Sequence, residues 1–489
     1  MYSVLTNIIV LNNSAYSGGG ICVSERTNNA ISVDVYSNNA SYGGGIFIGY
    51  GINDIVSGKI YGNSANSGGG GIFVGAGTNN AIGGDVYSNN TIGDGGGIYL
   101  MGSLSNILSG NVYGNIASNN GGGVCISSGS DNEVTGNVYS NIAYYYGGGI
   151  YINGIHNMIF GNVYGNNGLY GGGIYIDHGT NNVIGGTVEV YGNDANSGGG
   201  IYVQNGVSNI IGACVYNNIA NYGGGIYLNS GANNKLYGSV HDNDVYYDGG
   251  GIYVKFGIDN SINSFVYNNT ASSNGGGIYI LGGANNTING RVFSNNVNVY
   301  GGGICIASSV SNTISGYVYS NYADYGGGIF IGLGTNNVIS GEIYDNNGGY
   351  GGGGVHLHSG VDNKVMGSSV YNNTSYNQLG IVVNVEENPS IINSFITNNK
   401  SVGIYLVNPV NAVISNNYIG GGSFYSYGIY EGNFDTTGHV LMDNKFITNS
   451  LSVLYHDKVN GYLTSITDVN NPTKTGATSD STNNVATNM

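Results

Sequence analysis

The chain has 489 residues, a net charge of -16, only 7% charged residues and 92 glycines. A strongly acidic balance repels phosphate backbones and anionic membrane surfaces, so nucleic acid is excluded as a natural partner. Only 3 prolines and the lack of a Gly-x-y period exclude collagen, and no run of about 18 apolar residues offers a transmembrane helix.

The chain opens in mid-pattern. Val10-Leu11-Asn12-Asn13-Ser14-Ala15 aligns with Val35-Tyr36-Ser37-Asn38-Asn39-Ala40 one period later. The first residues lack the basic segment and small-residue cleavage site of a signal peptide. A solenoid that starts without a cap exposes a strand edge. One reading of this is that the solenoid continues beyond residue 1 in a longer product.

From Ile21 onward, Gly-Gly-Gly followed by Ile or Val returns 14 times, ending at Val355. The mean interval is about 26 residues, a period that marks a stacked repeat array rather than a globular core. Within a period, Asn80, Ile82, Gly84 and Val86 alternate with Ala81, Gly83 and Asp85. Period-two alternation predicts strands with one buried face. Stacked coils place equivalent residues in columns about 4.8 Å apart. Ile98, Val124 and Ile150 form one inner column, and Val86, Val112 and Val138 another. Two asparagine columns are expected to hydrogen-bond in register at the corners. One runs through Asn80, Asn106, Asn132, Asn157, Asn182, Asn209 and Asn234; the second runs through Asn89, Asn115, Asn141, Asn166, Asn193, Asn218 and Asn243. The predicted fold is all-β, a right-handed parallel β-helix of the pectin-lyase type with about 17 coils of 24–27 residues. Residues 1–373 form the regular array, 374–465 degenerate coils, and 466–489 a polar tail or linker.

The combination of Gly-Gly-Gly-Ile with Val-Tyr-x-Asn (Val86 to Asn89) resembles the repeats of chlamydial polymorphic outer-membrane proteins, which pair Gly-Gly-Ala/Ile/Leu/Val with Phe-x-x-Asn. Phe-x-x-Asn itself occurs at Phe395 to Asn398 and Phe446 to Asn449. Similar arrays occur in adhesin-like surface proteins of methanogenic archaea. The resemblance covers roughly residues 10–450 and implies surface display and adhesion.

Three sets of side chains are candidates for function. If Ile98 and Leu100 point inward, Tyr99 points outward, with Tyr151, Tyr175, Tyr202, Tyr227, Tyr253 and Tyr279 in its column. Such a row would present aromatic rings to carbohydrate or a host surface protein. A second row holds Tyr36, Tyr61, Tyr87, Tyr113, Tyr139, Tyr164, Tyr191 and Tyr216. The structural explanation for both is mutual support, about 0.2–1 kcal/mol per cross-strand pair. The second set is polar. His241-Asp242-Asn243-Asp244 and the pair His356/His358 are thin as metal sites, and no metal or other cofactor is expected. Asp34, Lys59 and Asp85 should form a surface ion ladder. The third set is catalytic by analogy with pectin-lyase-fold enzymes, whose chemistry needs paired acids with Arg or Lys. Here the only arginines are Arg26 and Arg291, the latter between Phe265 and Tyr317. Cys22, Cys125, Cys214 and Cys305 are too far apart for disulfides and should be free thiols. These readings favour an extracellular or cell-surface adhesin or stalk over a polysaccharide lyase or hydrolase, with a purely structural spacer as the third reading.

Overall fold

The computed structural model describes residues 3–421, 426–432, 439–447, 453–457, 461–463, 470 and 484–487. Two compact units, Met1–Val245 and Tyr246–Met489, are built in the same way, and among the described residues all regular elements are strands. One coil of the first unit contains Ala81–Ile82 and Asp85–Tyr87 on one face, Asn90–Thr91 on a second and Ile98–Met101 on a third. A coil of the second unit repeats this as Thr287–Ile288 with Arg291–Phe293, then Asn296–Val297, then Ile304–Ala307. Within each unit the strands of these coils pair in parallel with their equivalents one coil on, so that Val86 lies beside Val112 and Ile98 beside Val124. The inner columns are fully buried, with Ile72, Val86, Ile126 and Ile150 at 0% exposure. This is the parallel β-helix expected from the period.

The corners explain the asparagines and glycines together. Asn115 Oδ1 accepts from the Asn89 backbone N–H (2.9 Å) and from Asn89 Nδ2 (3.0 Å). Its own Nδ2 donates to Val86 O (2.9 Å) and to Asn141 Oδ1 (3.0 Å). Every polar atom of the side chain is thereby used in a site with no exposure, as a buried amide requires. Asn295 repeats the arrangement in the second unit, between Asn269 and Asn321. The glycine triplet roofs this ladder. Gly95 adopts φ +66°, which favours glycine, and a Cβ on Gly96 would run into the Gly122 carbonyl oxygen. A Cβ on Gly97 would lie 2.9 Å from Asn115 Nδ2 and 2.8 Å from Val112 Cγ1.

The other asparagine column holds too, with Asn106 Nδ2 donating to Asn132 Oδ1 at 2.8 Å. Between Asn29 and Asn80 in this column Asp54 takes the asparagine place: Oδ1 accepts from Asn29, while Oδ2 is buried without a partner. In the second unit that column ends where Pro389 replaces asparagine. Glu386 fills the gap, accepting from Asn363 Nδ2 and from the Gly360 N–H (2.8 Å). Burial raises its carboxyl pKa above the ordinary value.

After Thr374–Ser375 the second face has no further strand among the described residues. Later coils, such as Ser390–Ile392 with Phe395–Asn399 and Val402–Val407, use two faces. Most of the expected tail, 466–489, lies outside the described residues. Within it, Val485–Thr487 pairs in parallel with Lys445–Ile447, and Asn484 Oδ1 accepts from Asn444 Nδ2 at 3.0 Å. Asparagine stacking thus reaches a segment that has no visible period.

Removing one rung should be expensive. Asn115→Ala strands the Asn89 donors and should lower stability by about 2–4 kcal/mol, read as a fall in the urea midpoint. Asp54→Asn supplies the missing amide donor and should raise stability by about 1–2 kcal/mol.

Candidate binding site

Sugar binding by an aromatic side chain needs an accessible ring face, and the structure decides which tyrosines have one. The expectation that Tyr99, Tyr151, Tyr175, Tyr202, Tyr227, Tyr253 and Tyr279 form an exposed row is corrected: all seven are buried, at 4–8% exposure. The cause is the bare glycine turn beside them. Tyr99 lies so close to Gly68 that a Cβ there would meet its ring at 2.5 Å, and Phe73 packs edge-on at 5.2 Å. Tyr146 covers Tyr175 at 4.7 Å, and Tyr170 covers Tyr202 at 5.8 Å. Tyr151 Oη donates to Asp177 Oδ2 at 2.9 Å. Burial pushes the Tyr202 phenol up to about 12, and Tyr99, Tyr151, Tyr175 and Tyr279 also titrate far above the ordinary value, desolvation being the main cause.

The second row is a continuous stack within each unit. Tyr87, Tyr113 and Tyr139 lie 4.9 Å apart with planes within 4°, and the first unit's row ends with Tyr216 against His241 at 5.1 Å. Tyr267, Phe293, Tyr319, Tyr344 and Tyr371 form the row of the second unit, at 4.9–5.0 Å. Rings stacked at the strand spacing cover one another's faces and present only edges to solvent.

Single exposed tyrosines, such as Tyr50, Tyr144 and Tyr246, are scattered along the array, and exposed tyrosines gather around a cleft where the second sheet ends. Tyr322, Asn347 and Thr374 form consecutive rungs on its outer side. No strand follows Thr374–Ser375 in this sheet among the described residues. A cleft of about 680 Å³ results, lined by these residues with Asp324, Tyr350, Tyr376 and Lys400. Tyr322 is 42% exposed, Tyr350 59% and Tyr376 81%. Tyr350 and Tyr376 stand 6.4 Å apart, and Asn377 Nδ2 donates to Tyr350 O (3.1 Å), tying the two loops together. A second cleft of about 380 Å³ begins at the adjoining Asn377 and Ser401 and is walled by Tyr405, Tyr427 and Tyr430. Sequence reading missed both. The only available signal was the loss of the Gly-Gly-Gly motif after Val355.

The remaining candidates resolve individually. The Asp34–Lys59–Asp85 ion ladder does not form among the described residues. Asp34 Oδ1 instead accepts from the Lys59 backbone N–H (3.0 Å) and Asp85 Oδ1 from the Asn111 N–H (3.1 Å). Arg291 stands over Phe265 and Tyr317 at 5.8 and 5.4 Å. His356 is buried, with neither ring nitrogen hydrogen-bonded. Burial and then His358 bring its pKa down to about 3, so the ring is neutral at physiological pH. No group of three or more His, Cys, Asp or Glu suited to a metal occurs among the described residues. The four cysteines are free, as expected, but only Cys125 and Cys305 are buried in the manner of small hydrophobes.

A family described as "Right handed beta helix region" matches residues 277–451, the stretch that carries both clefts. The chain is also similar to the A-module of the Azotobacter vinelandii mannuronan C-5 epimerase AlgE4, at 15% identity over 83% of this chain and 87% of that one, with a TM-score of 0.20. No curated protein matches the chain.

The buried phenols generate an alkaline prediction. A raised folded pKa contributes stability that is fully present below pH 10 and is lost as pH rises through about 12. Absorbance at 295 nm should therefore show a fraction of the 44 tyrosines titrating only as the β-sheet circular-dichroism signal collapses. Complete titration near pH 10 with the fold intact would contradict the burial.

Proposed function

We propose that this chain is a non-catalytic binding protein, an adhesin or stalk displayed at a cell surface or secreted, and that its ligand is an uncharged glycan held in the Tyr322–Tyr350–Tyr376 cleft. The observation that carries the reading is the set of open tyrosine faces beside hydrogen-bonding groups. Asn347, Thr374 and Asp324 can bond hydroxyls while Tyr350 and Tyr376 stack on sugar rings. The charges nearby, Asp324 and Lys400, nearly balance, and the chain's net charge of -16 disfavours polyanionic sugars. The adjoining cleft of Tyr405, Tyr427 and Tyr430 lengthens the path, which suits a chain of several sugar units. The lining of the main cleft contains one carboxylate, Asp324, among the described residues, whereas glycoside hydrolysis ordinarily uses two. The resemblance to surface-protein repeats points in the same direction.

The test is binding of the purified chain to a glycan array, followed by calorimetry with the best neutral oligosaccharide. Tyr350→Ser and Tyr376→Ser, both on exposed loops, should each weaken binding about tenfold, equivalent to ~1.4 kcal/mol, with unchanged circular dichroism. Binding that survives the double variant would move the site elsewhere. Release of sugar product would replace adhesion with catalysis.

A further inference from the structure

Four side chains left aside by the glycan reading meet on the outer side of the first unit. Cys214 shares a column with Glu189, and His241 sits one coil beyond Tyr216. The cysteine Sγ lies 3.3 Å from His241 Nε2 and accepts from Ser239 Oγ at 3.0 Å. His241 Nδ1 lies 2.7 Å from Asp242 Oδ2. Asp242 reaches back to the ring because it occupies the left-handed turn position after the strand, with φ +53°. Stacking on Tyr216, with the planes only 1° apart, holds the ring's orientation. An Nδ1–H donated to the carboxylate leaves the Nε2 lone pair directed at the thiol. This is the nucleophile, base and orienter arrangement of an activated thiol. Cys214 is partly exposed and His241 retains 16% side-chain exposure, so a small reagent can reach the sulfur.

The surroundings restrict the chemistry. Acyl transfer needs free N–H groups for an oxyanion. The Cys214 N–H already donates to Val188 O (2.9 Å) and that of Gly212 to Ile184 O (2.9 Å). Thiol–disulfide exchange develops charge only on sulfur and needs no such donors.

We propose that Cys214 is a nucleophilic thiol, deprotonated by His241 and oriented through Asp242, whose substrate class is a small disulfide. The thiol proton passes to His241 Nε2 as the sulfur attacks. A new S–S bond forms to Cys214 while the substrate S–S bond breaks. The departing thiolate takes the proton from the imidazolium, leaving a mixed disulfide and one free thiol, with no external oxidant. Glu189 on the preceding coil opposes negative charge on the sulfur. Tyr216 Oη, 3.5 Å from Glu189 Oε2, also faces it, and Asp242 lies behind the imidazole. The other thiols are internal references. Burial pushes the Cys125 and Cys305 thiols well up and shields them, whereas Cys22 is exposed.

The experiment treats the intact chain with dithiodipyridine at neutral pH and follows each cysteine by peptide mass mapping. Cys214 should form its mixed disulfide about tenfold faster than Cys22. His241→Gln should bring Cys214 down to the Cys22 rate while the Cys22 rate and circular dichroism stay unchanged. Asp242→Asn should fall between the two. A Cys214 rate no greater than that of Cys22 in the parent chain overturns the proposal, as does a His241→Gln variant that reacts at the parent rate.

Discussion

The structure depends on one constraint: each coil must lie on the next in register, one strand spacing away, at every corner. A corner is where a β-helix is most exposed to failure, because the backbone turns there and cannot satisfy its polar groups in a ladder. Asparagine resolves this by stacking on itself. Each side chain takes the donors of the preceding rung and passes its own to the following one, so the network closes only when equivalent residues align. The glycine triplet follows from the same requirement, since Gly97 must leave room for Asn115 and Gly96 for the carbonyl of Gly122.

In-register stacking also governs the surface. Columns of like residues are forced together, and tyrosines in such columns cover each other's faces or fold down onto the glycine turns. A row that alternates outward along a strand is therefore not a row available to a ligand. Single exposed tyrosines such as Tyr144 and Tyr246 occur within the regular array, but at the end of the second sheet exposed tyrosines line a cleft. There the strand of Thr374 has no successor among the described residues, and the loops of Tyr350 and Tyr376, tied to each other through Asn377, leave both rings exposed. The Cys214 cluster has a comparable origin. The strand pattern sets Tyr or Phe over most rungs of the stacked row, and His241 replaces one of them, which brings an imidazole to a sulfur one coil away.

Much of the fold was legible in the sequence because a repeat displays its own contacts. The interval between glycine triplets gives the partner of every residue, so the Val86, Ile98 and Asn89 columns can be written down from spacing alone. The same reasoning failed for the Tyr99 column. Alternation correctly implies that Tyr99 leaves the inner face, but leaving that face is not the same as reaching solvent, and the covering groups, Gly68, Phe73 and Tyr146 among them, belong to other turns and other coils. It failed again at Asp34 and Lys59, where alignment of opposite charges in a column is real but backbone N–H groups claim the carboxylate oxygens first. Asn484 shows the converse, a rung joined to Asn444 across 40 residues that no period announces.

The sequence by itself determined the class of fold, the coil length, the buried columns and the asparagine ladders, because these are properties of a period and of residue type. Only the tertiary structure decided which outward residues are accessible and which polar groups meet: the open faces of Tyr322, Tyr350 and Tyr376, and the convergence of Cys214, His241 and Asp242. The physical reason is that burial outside the core, and side-chain contact along a diagonal between coils, depend on loop paths and rotamers, which the repeat does not encode.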